Sequence, residues 1–189
     1  MDALIGTLCK TSTLISLTLS NYRLDNKSSK AEGKVFLSTI CKNATLTYLK
    51  LRHNKLDSET RKMSLDTFLK NNCTLVFLDF KNNQLGSEGG KAIADALCKN
   101  NTLTSLNLCN NQLGPEVEKA IADVLHKNIT LTSLDLSDNQ VGPEGRKAIA
   151  DAFCKSSTLT YLDFRSNLFG RMVNALRSIT YKSSAIIYY

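Results

Sequence analysis

Six cysteines and two histidines are the residues of this 189-residue sequence whose types could support nucleophilic, acid–base or metal chemistry. A thiolate and its imidazole base must lie within about 3 Å of one another, and a zinc site needs Cys or His in closely spaced pairs. Neither pattern is present. Cys9, Cys41, Cys98 and Cys154 share one phase, each five residues before a leucine, and His126 takes that same position before Leu131. No CxxC, no paired histidines, no GxSxG, no phosphate-cradling glycine loop and no HExxH occur. The sequence points to no catalytic residue, no metal site and no cofactor, and the segment is not expected to be an enzyme.

What positions these residues is a repeat. Leu103, Leu106, Leu108, Asn111 and Leu113 recur as Leu131, Leu134, Leu136, Asn139 and Val141, and as Leu159, Leu162, Phe164, Asn167 and Phe169. Upstream copies are Leu75, Leu78, Phe80, Asn83, Leu85 and Leu46, Leu49, Leu51, Asn54, Leu56; a first, Leu14, Leu17, Leu19, Leu24, has Tyr22 where the asparagine belongs. The first leucines are 32, 29, 28, 28 and 28 residues apart, which accounts for much of the total of 29 leucines. Between these segments the apolar period changes from two to about 3.6. Phe36 with Ile40, Leu65 with Leu69, Ile93 with Leu97, Ile121 with Leu125 and Ile149 with Phe153 each define one helical face. Gly114-Pro115-Glu116 and Gly142-Pro143-Glu144 turn the chain into two of those helices.

Each unit is therefore a short strand, a turn and a helix that cannot bury its own apolar face, so copies must stack. Strands stack at about 4.8 Å and helices at about 8–10 Å. That mismatch bends the stack with the sheet inside. The expected fold is α/β, a right-handed solenoid arc with a parallel sheet on the concave side and helices on the convex side. The asparagine after each strand can bond backbone groups that have no ladder partner.

These residues resemble leucine-rich repeats of the ribonuclease-inhibitor type, in which units of about 28 residues carry LxxLxLxxNxL followed by a full helix. The resemblance covers about residues 3 to 189, and residues 1–189 are read as a single domain of six full repeats with partial repeats at both ends. The wording of Asn101-Thr-Leu-Thr-Ser-Leu-Asn-Leu and Gly142-Pro-Glu-Gly-Arg-Lys-Ala-Ile-Ala-Asp-Ala is also similar to repeats in effectors of intracellular bacteria, which engage host proteins with this scaffold.

Equivalent cysteines on neighbouring helices would sit beyond the roughly 7 Å reach of a disulfide, so free thiols and a cytoplasmic setting are expected, or the host cytosol for a secreted effector. His53 and Cys109 fall two repeats apart, about 10 Å along the sheet, too far to act together. Sequons occur at Asn26, Asn43, Asn72, Asn100 and Asn128, four of them where a helix ends; helix termination is the preferred reading of those four. The net charge of +7 is spread without a basic block, which argues against nucleic acid. No apolar run approaches a membrane span.

The informative positions lie between the leucines, because alternation puts the third, fifth and seventh motif residues on the concave face. Tyr48 and Phe77 fall side by side among Lys50, Arg52, His53, Asp79 and Lys81, and the face continues through Asn107, Asp135, Tyr161, Asp163 and Arg165. Adjacent aromatics beside arginine are what protein interfaces favour. The expected function is a non-catalytic module binding a partner protein, acidic or amphipathic where it meets the N-terminal half of the face; a structural spacer or autoinhibitory segment of a larger protein is the alternative, and an enzyme whose catalytic domain is absent here ranks third. Asp135, Asp138 and Asp163 near Tyr161 suggest a basic preference in the other half. Leu4, Ile5 and Leu8 match the end of a helix. Met172, Val173, Leu176 and Ile179 form another, and Lys182–Tyr189 aligns with Lys155–Leu162 as a seventh strand, with edge contacts through Ile186–Tyr189. The chain reads as a fragment of a longer protein.

Overall fold

The computed structural model describes residues 6–8, 10–11, 13–22, 32–56, 65–167 and 186–188. Strands of three residues alternate with helices: β1 Ser16–Thr18, α1 Glu32–Lys42, β2 Tyr48–Lys50, α2 Leu65–Asn71, β3 Phe77–Asp79, α3 Gly86–Leu97 and β4 Ser105–Asn107. A 3-10 turn at Pro115–Val117 leads into α4 Glu118–Lys127, followed by β5 Ser133–Asp135, α5 Pro143–Lys155, β6 Tyr161–Asp163 and β7 Ile186–Tyr188. All seven strands form one parallel sheet in chain order.

The register follows the leucine spacing, pairing Ser16 with Tyr48, Tyr48 with Phe77, Phe77 with Ser105, Ser105 with Ser133 and Ser133 with Tyr161. The middle residue of each of β2 to β6, always leucine, is buried, as are the leucine three residues before it and the leucine or phenylalanine two residues after it. The helical pairs Phe36/Ile40, Leu65/Leu69, Ile93/Leu97, Ile121/Leu125 and Ile149/Phe153 complete the same core. Burying each such side chain contributes about 1.5–3 kcal/mol, and no single repeat could do this alone.

One departure concerns β7. Alignment of Lys182–Tyr189 with Lys155–Leu162 sets Tyr188 opposite Tyr161, whereas the sheet pairs Tyr161 with Ile186 and Asp163 with Tyr188. A slip of two residues preserves the alternation of faces. Tyr188 thus stays on the concave face, at the fifth motif position instead of the third. Of the helix expected at Leu4–Leu8, residues 6–8 are described and are helical, as is Lys10; the helix expected at Met172–Ile179 lies outside the described residues.

Two asparagine ladders hold the turns. Asn54, Asn83, Asn111 and Asn139 are fully buried, and the backbone N–H of each donates to the side-chain oxygen of the next, ending on Asn167, at 2.9–3.0 Å. The amide of Asn111 donates back to Phe80 O and Leu108 O at 3.0 and 2.9 Å. Tyr22 has no such side chain, and its N–H closes the row on Asn54 Oδ1 at 3.0 Å. In the second ladder Asn43, Asn72, Asn100 and Asn128 accept from the N–H groups two and three residues on. The amide nitrogens of Asn100 and Asn128 donate to carbonyls of the repeat before. The Asn43 amide nitrogen likewise donates to Thr11 O at 3.1 Å, so these three amides tie each helix end to the repeat before it. Asn26 lies outside the described residues.

The residue just before each first-ladder asparagine, and before Tyr22 in the first repeat, is left-handed: Asn21, His53, Asn82, Asn110, Asp138 and Ser166 have φ between 53° and 63°. Asn, Asp and His tolerate that conformation best. His53 is therefore explained as a turn residue.

Candidate functional site

The concave face is set by the strands, since burial of the middle leucine forces its neighbours outward. Tyr48 on β2 and Phe77 on β3 stack with ring centroids 4.1 Å apart and planes 9° from parallel. Lys50 Nζ lies 5.1 Å from the Tyr48 ring centre and 5.9 Å from that of Phe77. Both rings and the lysine are half-buried. Stacking adds about 0.5–1.5 kcal/mol beyond area burial and a half-exposed cation–π contact about 0.5–1 kcal/mol, so the cluster is preformed.

Beside it, Arg52 Nε and Nη2 both reach Asp79 Oδ2 at 2.6 Å, while Asp79 Oδ1 accepts from the Lys81 N–H at 3.0 Å. The Asp79 hydrogen bond raises the Arg52 guanidinium above its ordinary pKa. Among the described residues neither Lys50 nor Lys81 has a carboxylate partner. His53 Nε2 meets the Asn82 amide nitrogen at 3.1 Å, and strand order puts His53, after β2, and Cys109, after β4, two strands apart.

The middle strands carry short groups. Ser105 and Ser133 are half-buried at the third position, and Asn107 Nδ2 donates to Asp135 Oδ2 at 2.9 Å. Asp135 Oδ1 accepts from the Ser137 hydroxyl at 2.6 Å. Cys109, expected on the open face, is buried, with Sγ 3.9 Å from Asp138 Oδ2. Burial raises its thiol pKa, as it does for Cys98, and pushes Cys41 up to about 11. These thiols are held protonated, the reverse of nucleophile activation.

At the far end Tyr161 and Tyr188 pack with centroids 5.7 Å apart at 58°, and the Arg165 guanidinium carbon lies 4.6 Å from the Tyr188 ring centre. Arg165 donates to both oxygens of Asp163 at 3.0 and 2.6 Å. Burial, with Asp163 and Asp135 nearby, raises the Tyr161 hydroxyl pKa.

Two sequence expectations change here. Asp79 and Asp163 belong to the face by position but are enclosed, at 0% and 3% exposure, because an arginine closes over each carboxylate. The acidic half accordingly shrinks to Asp135 and Asp138. Tyr188, expected only as an edge contact, joins the face; the alternation Ile186-Ile187-Tyr188 was the signal for it.

The scaffold can be compared with known proteins on this geometry. A family model described as Leucine Rich repeat matches residues 42–59, 71–94, 99–116 and 127–150, the strands and turns whose asparagines form the ladders. The chain is a leucine-rich-repeat protein. No curated protein matches its sequence. Leucine-rich-repeat folds similar to it include the actin-binding site 2 of leiomodin-1, 22% identical, with a TM-score of 0.68 over 82% of this chain and 88% of that one. The tropomodulin C-terminal domain of Caenorhabditis elegans is 18% identical, with a TM-score of 0.66 over 82% and 92%. The leucine-rich repeat-containing protein LegL7 from Legionella pneumophila is 25% identical, with a TM-score of 0.59 over 88% of this chain and 52% of that one. Leucine-rich-repeat domains of this kind are generally protein-interaction modules. Among the described residues no helix is long and apolar enough to cross a membrane, and no group of three or more His, Cys, Asp or Glu is placed to hold a metal.

Proposed function

We propose that this leucine-rich-repeat protein is a non-catalytic binding module that takes a partner protein on its concave sheet, centred on Tyr48 and Phe77. The observation that carries the reading is the stacked pair at 4.1 Å with Lys50 against both rings. Two partly exposed aromatics held in one geometry lose little side-chain entropy on binding, and they sit beside two lysines that have no carboxylate partner among the described residues. Such a surface suits an acidic or amphipathic protein segment. Thiols of raised pKa at Cys41, Cys98 and Cys109 and the placing of His53 and Cys109 two strands apart support a role without chemistry.

The test is capture of partner proteins by three forms of the chain. Tyr48→Ala with Phe77→Ala should leave the circular dichroism spectrum unchanged and abolish capture, while Lys119→Glu with Lys147→Glu, on exposed helical positions, should leave capture intact. The opposite pattern refutes the concave reading. A narrower reading, in which this is the recognition part of a bacterial effector in the host cytosol, is favoured by the repeat wording and by the likeness to the Legionella pneumophila protein. A translocation reporter fused to the chain would test it.

A further inference from the structure

The concave face carries two clusters of similar construction. At β2 and β3 a pair of rings meets a lysine, with an arginine locked to a buried aspartate; at β6 and β7 a second pair of rings meets an arginine that is itself locked to a buried aspartate. We propose that both clusters grip one extended, acidic segment of a partner protein, an inference that rests on the concave-face reading above. Its acidic and apolar end lies on Tyr48 and Phe77, and an aromatic or aliphatic side chain further along lies on Tyr161 and Tyr188.

The spacing sets the length. Strand order places four strand steps between the centres of the clusters, about 19 Å at about 4.8 Å per step. An extended chain advances about 3.3 Å per residue, so about six residues span the gap. An even number puts both anchors on the same face of the segment. Between the clusters the third motif positions hold only the short side chains of Ser105 and Ser133, and Asn107 and Asp135 already satisfy one another. The middle therefore offers passage more than grip.

Charge sets the direction. Lys50 and Lys81 have no carboxylate partner among the described residues, so the first cluster has cations to spare. Arg165 is held by both oxygens of Asp163 and stacked on Tyr188. The second cluster is charge-balanced and presents rings. A segment with its carboxylates at the first cluster and its bulky side chain at the second is the complementary one.

The test uses fluorescein-labelled synthetic peptides and the 189-residue chain, read by fluorescence anisotropy. One peptide carries Glu-Phe-Glu with a tyrosine about six residues beyond the phenylalanine on a Ser/Thr background. A second moves the tyrosine by one residue, a third replaces Glu with Lys, and a fourth presents the first sequence as a stapled helix. The first should bind; the one-residue shift should weaken binding about tenfold, the loss of one anchor; the lysine peptide should not bind. Tyr161→Ala with Tyr188→Ala, checked for folding by circular dichroism, should bind the two spacings equally. Failure of the first peptide to bind, equal binding of both spacings by the unmodified chain, or tighter binding of the stapled helix overturns the inference. If that happens while Tyr48→Ala with Phe77→Ala still abolishes partner capture, the concave-face reading stands and only the two-cluster inference falls.

Discussion

The Arg52–Asp79 pair allows a quantitative test of how the face is held together. Asp79 is fully enclosed, yet the Arg52 side chain is 40% exposed. Removing one partner of a fully buried pair costs about 3–5 kcal/mol, and solvent reaching the guanidinium cuts this to about 2 kcal/mol for Arg52→Ala, because a carboxylate is left inside with only the Lys81 N–H donating to it. Asp79→Asn keeps an oxygen for that N–H but turns an amide donor toward the guanidinium, a loss of about 1–2 kcal/mol. In the double variant the uncompensated charge is gone, so its cost should fall short of the summed single costs by about 1 kcal/mol or more. Urea unfolding followed by far-ultraviolet circular dichroism measures all three, with an unchanged m-value as the control for two-state behaviour. Additivity within about 0.3 kcal/mol would mean that the bridge does not form in solution, and the enclosure of Asp79 would need another cause.

Asn111→Ala should destabilise the fold by about 3 kcal/mol, since it leaves the buried Asn83 N–H without its acceptor and removes two short bonds to Phe80 O and Leu108 O; a shift in urea midpoint worth less than about 1 kcal/mol would contradict the ladder. Iodoacetamide near neutral pH should label the exposed Cys73 and Cys154 well before Cys41 and Cys109, as read by mass spectrometry of tryptic peptides. Cys41 also imposes a pH dependence. Its folded pKa of about 11 lies above the ordinary 9.0, so the unfolded chain loses this proton first; stability is full below about pH 9 and falls as pH climbs toward 11. Cys41→Ala should flatten that slope in thermal melts across this range.

Much of the architecture was legible because each repeat states its structure locally. A strand of three residues needs only one inward leucine between two outward residues, and a first leucine every 28 or 29 residues dictates which strand pairs with which. The helix-end asparagines were legible as terminators but not as a second ladder. That ladder depends on carbonyls about 28 residues earlier, such as the bond from Asn128 Nδ2 to Asn100 O, and nothing in the local wording marks it. The slip of β7 escaped for a related reason: the alternation of apolar residues survives a shift of two.

By itself, the sequence determined the repeat, the parallel order, the inward leucines, and the placing of Tyr48 and Phe77 as neighbours on one face. Only the tertiary structure decided what that face offers to a partner. Asp79, Asp135 and Asp163 hold the same motif position, yet two are sealed and one stays partly open. The physical reason is that a carboxylate is enclosed by whichever long cation reaches it: Arg52 from the preceding strand for Asp79, Arg165 from two residues on for Asp163. Among the described residues Asp135 hydrogen-bonds only with Asn107 and Ser137, which are too short to close over it.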